Sequence, residues 1–263
     1  MPLHLEQSGT GPRLVLVHGF TQTGRSWGPI ASNLGRDHEV VAVDAPGHGG
    51  SAAVRVGLVD GAHLLGAVGG RATYVGYSMG GRLALHLTLA EPALVERLVL
   101  IGAAAGIEDP GERAARRAAD EDLAADLERF GLDAFLDRWL AGPLFTTLPD
   151  DQADRAERLR NTPAALASSL RLAGTGTQDP LWDRLPEIGA PVLLLAGELD
   201  AKFRAVAERM ARAIGANAQT AIVPAAGHAA HLEHPAAFLA ILRRWLAETS
   251  GPAGRARLLS PEL

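Results

Sequence analysis

Six short runs of residues that are apolar almost throughout constrain the fold of this chain more than any other feature. They occupy residues 13–19, 39–45, 72–78, 97–103, 190–197 and 219–225. Continuous apolar runs, separated by segments with helical periodicity, are typical of parallel strands that helices cover on both faces. The sequence therefore predicts an α/β fold with a mostly parallel central sheet flanked by helices. Residues 3–14 predict, in addition, an antiparallel hairpin that turns at the Gly-Thr-Gly of residues 9–11.

A long segment between the fourth and fifth runs interrupts this alternation. Residues 104–189 are rich in Ala, Arg, Asp and Glu and show helical spacing with almost no β-branched run. We interpret them as an all-helical lid inserted into a core of residues 1–103 and 190–250. Residues 251–263 contain Gly, Pro and basic residues without periodicity, which predicts a flexible C-terminal tail.

Composition excludes several classes of protein. The 263 residues include 47% apolar residues and no cysteine, so neither a disulfide framework nor a thiolate metal site is expected. A net charge of −5 argues against a broad nucleic-acid surface, and no segment reaches the ~18 unbroken apolar residues of a membrane span. We expect a cytoplasmic protein without nucleic-acid or membrane partners, present as a monomer or a weak homodimer.

The pentapeptide Gly-Tyr-Ser-Met-Gly places Ser78 at a point where chemistry is expected. It directly follows the predicted strand at residues 72–78 and opens a predicted helix over residues 79–90. A strand-to-helix turn with flanking glycines is the nucleophile elbow, which exposes the serine hydroxyl. A serine that merely caps a glycine-rich helix start is the alternative reading.

A nucleophilic serine needs a base, and the base needs an orienting acid, each placed just after a strand. Asp200 follows the fifth apolar run and His228 follows the sixth, in the order expected after Ser78. Glu198 is the competing acid, but Asp200 stands further out on the loop. The sequence therefore predicts a Ser78–His228–Asp200 triad.

An oxyanion hole requires two backbone N–H groups near the nucleophile. Met79 follows the serine, and Phe20 follows the first apolar run in the sequence His-Gly-Phe. Both are predicted to supply their amides, whereas His18 is expected to pack the loop.

A second histidine pattern could be read as a metal site. His228, His231 and His234 are spaced three residues apart, but Pro235 starts a new helix, so the three cannot share one helical face. No metal site is predicted there.

Several stretches resemble the α/β-hydrolase superfamily over residues 13–247. They are VLVHGFTQTGRSW, VAVDAPGHGGS, YVGYSMGGRLAL, RNTPAALASSLRLAGTGTQDPLW, LAGELDAKF and VPAAGHAAHLEHP. Arg82, together with the pieces GELDAKF, ERAARR, RLRN and GTGTQDPLW, resembles more narrowly the 2-succinyl-6-hydroxy-2,4-cyclohexadiene-1-carboxylate synthases of menaquinone biosynthesis.

The resemblance implies a lyase that eliminates pyruvate from a trianionic cyclohexene and needs no metal or organic cofactor. In such an enzyme the triad abstracts a proton. The alternative is a cofactor-free serine carboxylester hydrolase, in which Ser78 would become acylated.

Arginines are the side chains expected to hold an anionic small-molecule substrate. Arg82 lies one helical turn after Ser78, close to a helix start where the dipole disfavours a cation, so a functional role is favoured over a surface one. A helix over residues 112–130 would have one apolar face. Its members are Ala119, Leu123, Leu127 and Phe130. Arg116 falls in the middle of that face, whereas Arg113 and Arg117 fall toward the polar side.

Three further binding residues follow from position or resemblance. The resemblance implies that Arg160 and Trp139 contact the substrate, although Trp139 could equally be an aromatic of the lid core. Tyr77, next to the nucleophile, either lines the pocket or packs beneath it.

Overall fold

A computed structural model describes residues 1–250 of the chain, which form a seven-stranded sheet with the order β1-β3-β2-β4-β5-β6-β7. All pairings are parallel except that of β1 with β3. The strands are β1 (Leu5–Ser8), β2 (Arg13–Val17), β3 (Glu39–Val43), β4 (Ala72–Tyr77), β5 (Val95–Ile101), β6 (Val192–Gly197) and β7 (Ala218–Val223). The predicted α/β fold is confirmed, and the predicted tail lies outside the described residues.

The helices of residues 1–250 connect these strands and cover the sheet. They are α1 (Gly28–Leu34), α2 (Leu58–Gly69), α3 (Met79–Ala90), α4 (Pro110–Leu140), α5 (Arg155–Arg158), α6 (Pro163–Ala173), α7 (Ala201–Ile214), α8 (Ala230–Glu233) and α9 (Pro235–Glu248). None of these helices is both long enough and apolar enough to cross a membrane.

Two apolar layers explain why the strand sequences are continuous apolar runs. In β2, Val15 and Val17 pack into the layer that also contains residues of α2, α3 and α7. The intervening Leu14 and Leu16 pack into the opposite layer, with residues of α1 and α9. Because successive strand residues point to opposite faces, both faces must be apolar when both are covered.

The first strand does not form the predicted hairpin. β1 pairs with β3, from Leu5 opposite Val43 to Ser8 opposite Val40, so the prediction that it pairs with β2 is wrong. Both edges of β2 are occupied, by β3 on one side and by β4 on the other. The chain therefore passes the turn at residues 9–11 and continues to a strand that is not its neighbour in the sheet.

The segment between β5 and β6 contains α4, α5 and α6 and no strand. It has an apolar cluster of its own, in which Ala124 and Leu127 of α4 pack with Leu166 and Leu170 of α6. At Gly131, with φ of 79°, the backbone of α4 leaves the helical conformation, so α4 is kinked.

The apolar face predicted for this helix is wrong for two of its four members. Ala119 is exposed, and the side chain of Phe130 is 46% exposed. The ring of Phe130 lies 4.9 Å from each of the guanidinium groups of Arg129 and Arg138. The kink at Gly131 follows immediately, and the buried face runs instead through Asp120, Ala124 and Leu127.

Helix α3 approaches the sheet closely because two glycines leave room for it. A β-carbon added at Gly76 would lie 2.5 Å from the carbonyl oxygen of Gly80. One added at Gly80 would lie 2.6 Å from the carbonyl oxygen of His18 and also meet that of Val17. Backbone atoms cannot rotate away as side chains can, so a larger residue at either position must shift α3.

We expect Gly80→Ala to lower the free energy of unfolding by about 1–3 kcal/mol, the usual cost of overpacking. Gly189→Ala is the matched control, because a β-carbon there would meet no atom within 4 Å, and its effect should stay within about 0.5 kcal/mol. Urea unfolding of both variants provides the measurement. Equal stability of the two would contradict the close packing of α3.

Candidate active site

Ser78 lies on a strained turn between β4 and α3. Its φ of 50° and ψ of −108° form a conformation that residues other than glycine rarely adopt. The backbone N–H of Ser78 donates to the carbonyl of Ile101 at 2.8 Å, which ties the turn to β5. The strain is retained at the carboxyl edge of the sheet, where it presents the hydroxyl to the space above.

The structure brings the three predicted triad residues together. His228 Nε2 lies 3.2 Å from Ser78 Oγ, and His228 Nδ1 lies 2.9 Å from Asp200 Oδ2. The other carboxylate oxygen of Asp200 accepts the N–H of Phe203 at 3.1 Å. This arrangement can move a proton from the serine to the imidazole while the carboxylate holds the ring.

Two opposing effects set the charge state of Asp200. Burial raises the pKa of Asp200, but hydrogen bonds from His228 and from the N–H of Phe203 outweigh it, so the pKa lies below its ordinary value. Glu198 is exposed and accepts the N–H of Ala225 at 2.8 Å instead. Of the two candidate acids, Asp200 is therefore the one that contacts His228.

The loop that carries His228 is held by a residue that the sequence reasoning did not single out. Glu233 is buried, and its two carboxylate oxygens accept the N–H groups of Gly227 at 2.7 Å and Ala229 at 3.0 Å. The two amides flank His228 on either side. The sequence does show an acid five residues after the histidine, but the residue type alone does not reveal that it is buried.

The other two histidines of this segment do not form a metal site. His231 is buried, with ring centroids 4.7 Å from Trp27 and 4.4 Å from Tyr77, and burial lowers its pKa to about 3. His234 donates from Nε2 to the carbonyl of Ala225. Residues 1–250 contain no group of three side chains that could hold a metal ion.

Two backbone N–H groups are available for an oxyanion. Within residues 1–250, neither Phe20 nor Met79 uses its N–H in a hydrogen bond, and both residues line the same cavity as Ser78. His18 fixes the loop, because its Nδ1–H donates to the carbonyl of Gly19 at 2.8 Å and its Nε2 accepts the N–H of Ala45 at 3.0 Å. Burial lowers the pKa of His18 to about 4, so the ring is neutral.

A cavity of about 550 Å³ lies between the carboxyl edge of the sheet and the segment between β5 and β6. Ser78 and His228 line it, together with Arg82, Arg116 and Arg158. Another part of the wall is acidic and consists of Glu108, Asp109 and Glu112. There Glu108 forms an ion pair with Arg209 at 2.6 Å.

Arg82 is a buried cation that lacks an ion-pair partner among residues 1–250. Its Nη1 donates to the carbonyls of Ala173 at 2.9 Å and Gly174 at 3.3 Å. Burial lowers its pKa to about 10, so the guanidinium stays charged at neutral pH. Asp120 offsets part of this charge from a distance, but no carboxylate of residues 1–250 pairs with it directly, so the guanidinium can still bind an anion.

Arg116 also lines the cavity and is held from one side. Its Nε donates to Asp120 Oδ1 at 2.8 Å, and its side chain is 39% exposed. The neighbouring arginines lie elsewhere, because Arg113 donates to the carbonyl of Ile107 and Arg117 to that of Gly176.

The structure places Arg158, and not Arg160, in the cavity. Arg160 pairs with Glu157 at 3.2 Å and lines a separate cavity of about 310 Å³ beside His4. Arg158 is the last residue of α5, whereas Arg160 lies in the turn that follows, and the two arginines face different cavities. Arg160 therefore lies outside the cavity that contains Ser78, and its position gives no support to the prediction that it binds substrate.

Arg158 is buried and contacts the loop that carries Phe20. Its Nε donates to the carbonyl of Ala153 at 2.7 Å, and its Nη1 donates to the hydroxyl of Thr21 and to the carbonyl of Phe20 at 3.4 Å. Burial lowers its pKa. No feature of the sequence alone ranks this arginine above Arg160.

The two aromatic candidates have mixed roles. Trp139 lines the cavity, and its ring also packs against Phe20 at 5.4 Å and Phe135 at 5.9 Å, so it belongs to the apolar cluster of α4 and α6 as well. Tyr77 is buried, lines the cavity and lies 5.4 Å from the His228 ring, and burial raises its pKa.

Comparison with known proteins identifies the family of this chain. The model of the alpha/beta hydrolase family matches residues 14–241. The 2-succinyl-6-hydroxy-2,4-cyclohexadiene-1-carboxylate synthase of Escherichia coli O1:K1 is 34% identical, over 89% of this chain and 94% of its own length. A Bacillus subtilis protein that carries the same enzyme name in provisional form is 36% identical, over 89% of each chain.

Solved structures give the same result. MenH from S. aureus is 31% identical and superposes with a TM-score of 0.89, over 94% of this chain and 99% of its own. An esterase from Thermogutta terrifontis, 23% identical over 95% of this chain and 94% of its own with a TM-score of 0.78, shares the fold alone. The chain therefore belongs to the α/β-hydrolase family and, within it, to the 2-succinyl-6-hydroxy-2,4-cyclohexadiene-1-carboxylate synthases.

Proposed function

We propose that this chain eliminates pyruvate from 2-succinyl-5-enolpyruvyl-6-hydroxy-3-cyclohexene-1-carboxylate and releases 2-succinyl-6-hydroxy-2,4-cyclohexadiene-1-carboxylate. One observation carries the proposal: a single cavity unites Ser78 and His228 with the buried guanidinium of Arg82, which forms no ion pair with any residue of 1–250. The names of the relatives support the same reaction.

The charge of the cavity fits the charge of this substrate. The cyclohexene carries three carboxylates, and Arg82, Arg116 and Arg158 line the cavity beside Ser78. The planar fork of arginine suits a carboxylate better than the point charge of lysine. An ester with a neutral acyl group would gain little from these cations.

In the proposed mechanism the serine acts as a base. His228, oriented by Asp200, takes the Ser78 proton, and the Ser78 oxygen abstracts the ring hydrogen beside the succinyl ketone. The amides of Phe20 and Met79 hold the resulting enolate. As the ketone re-forms, the ring double bond shifts and the C–O bond to the enolpyruvyl group breaks. The departing enolate takes up the proton that His228 holds and becomes pyruvate, which returns His228 to its neutral form.

The same proposal covers the lid, the cofactors, the location and the oligomeric state of the enzyme. Residues 104–189 act as the lid over the cavity, and the reaction needs no metal or organic cofactor. The enzyme is cytoplasmic and is a monomer or a weak homodimer, as the lack of cysteine and the net charge of −5 favour.

Removing one member of the triad should cost nearly as much as removing two, because the residues act as a unit. We expect Ser78→Ala and His228→Ala each to lower kcat by about 10³-fold, and the double variant to be within about threefold of the slower single one. The measurement is a coupled assay of pyruvate release from the trianionic cyclohexene. A double variant that multiplies the two losses would speak against a shared relay.

The lyase and the esterase differ in whether Ser78 is acylated. Hydroxylamine added during turnover should yield no hydroxamate, because a serine that only moves a proton forms no acyl-enzyme. One molecule of pyruvate should be released for each molecule of diene formed. Hydroxamate that appears in step with substrate loss, or a Ser78 adduct in a mass spectrum of the quenched enzyme, would support the esterase instead.

The arginines should discriminate by substrate charge. We expect Arg82→Ala and Arg116→Ala each to lower kcat/KM for the trianionic cyclohexene. The loss should be equivalent to about 2–5 kcal/mol of activation free energy, the cost of an unpaired buried carboxylate. A neutral aryl ester should be affected much less. Arg160→Ala, which removes the same charge outside the cavity, is the matched control. Equal losses on both substrates would contradict a carboxylate-binding role.

A further inference from the structure

Asp120 is a buried carboxylate inside a cavity that we propose to bind an anion. The residue is only 1% exposed and lines the cavity together with Arg82 and Arg116. A negative charge beside an anion site weakens binding by repulsion, and the effect grows as water is excluded. Asp120 must therefore contribute something that offsets this repulsion.

The contacts of Asp120 show what it holds. Its Oδ2 accepts the backbone N–H of Gly176 at 2.9 Å, which fixes the carboxylate to the segment after α6. The segment fits closely around it, since a β-carbon at Gly174 would lie 2.6 Å from the same oxygen. The carboxylate is thus held by backbone on one side and leaves Oδ1 for Arg116.

The contact with Arg116 leaves the useful part of the guanidinium free. Asp120 Oδ1 accepts a hydrogen bond from Nε of Arg116 only. Within residues 1–250 neither Nη of Arg116 has a hydrogen-bond partner. The two Nη groups are the edge with which arginine binds a carboxylate bidentately. A half-exposed arginine without this anchor would sample many rotamers, and ordering it on binding costs affinity.

We propose that Asp120 is a positioning residue that fixes Arg116 through Nε, so that both Nη groups face a substrate carboxylate. The proposal rests on the proposed function, in which Arg116 binds the trianion. It also sets the sign of a test, because repulsion and positioning have opposite effects on affinity. Removing the charge of Asp120 strengthens binding if repulsion dominates and weakens it if positioning dominates.

The test measures affinity by calorimetric titration with the trianionic cyclohexene, in Ser78→Ala protein so that turnover does not interfere. We expect Asp120→Asn to raise Kd about tenfold, because the single, uncharged acceptor oxygen of asparagine cannot accept both Arg116 Nε–H and the Gly176 N–H. The matched control is Asp126→Asn, which removes an arginine-paired carboxylate from the same helix outside this cavity, and its Kd should not change. An unchanged or lower Kd in Asp120→Asn would overturn the proposal.

A second comparison separates positioning from general packing. In an Arg116→Ala background, Asp120→Asn should no longer raise Kd and should lower it, since only the repulsion remains once the residue through which Asp120 acts is absent. A tenfold rise that persists in this background would overturn the proposal, because Asp120 would then act without Arg116.

A variant that leaves Asp120 intact covers the case in which Asp120→Asn does not fold. Arg116→Lys should bind almost as weakly as Arg116→Ala, because a single ammonium held by Asp120 has no second edge to offer. Wild-type affinity of Arg116→Lys would overturn the positioning role. Failure of the proposed function is distinguishable, because the wild-type protein would then release no pyruvate from the cyclohexene.

Discussion

The close approach of α3 to the sheet is the constraint on which the site depends. Ser78 keeps a backbone conformation that side chains rarely adopt because Gly76 and Gly80 let α3 pack against the backbone of β2 and β4. The same approach brings the N–H of Met79 and the loop of Phe20 to one cavity. The packing of α3 against β2 and β4 thus stabilises the strained backbone of Ser78.

Buried cations impose the second constraint. Arg82 and Arg158 are both buried, and both are held mainly by backbone carbonyls rather than by carboxylates. A carboxylate partner would neutralise the guanidinium, whereas a carbonyl dipole orients it and leaves its net charge. These guanidinium groups therefore keep their positive charge for a ligand. The cost of desolvating them arises when the chain folds and not when the ligand binds.

Much of the fold could be predicted because its signals are local. Apolar runs correspond to β2–β7, the predicted helix over 79–90 coincides with α3, and Asp200 and His228 follow strands and meet at the carboxyl edge. Parallel strands bring their carboxyl ends to one edge, so chain order alone brings the triad together.

The predictions that the structure does not support concern relations between distant parts of the chain. Nothing in residues 3–14 indicates that β3 lies between β1 and β2, since strand order depends on which sheet edges are already occupied. The same holds for Arg158 and Arg160, which differ in direction only once α5 is placed over the Phe20 loop. Helical periodicity likewise places Ala119 and Phe130 wrongly on the buried face of α4, because α6 and the cavity decide which side is buried.

Four buried or half-buried carboxylates share one structural use, which links fold and chemistry. Asp200, Glu233 and Asp120 each accept a backbone N–H near a group that we propose to act on the substrate. Asp44 does the same twice, for the N–H groups of Gly24 and Gly50. Loops at the carboxyl edge of a sheet leave many N–H groups without strand partners, and a buried carboxylate can satisfy them with strong, directional bonds. Once such a carboxylate is fixed by backbone, any oxygen it has left can orient a histidine or an arginine at little further entropic cost. The acids that fix these loops therefore also hold functional side chains. Substituting one of them should loosen the loop that it fixes as well as reduce activity.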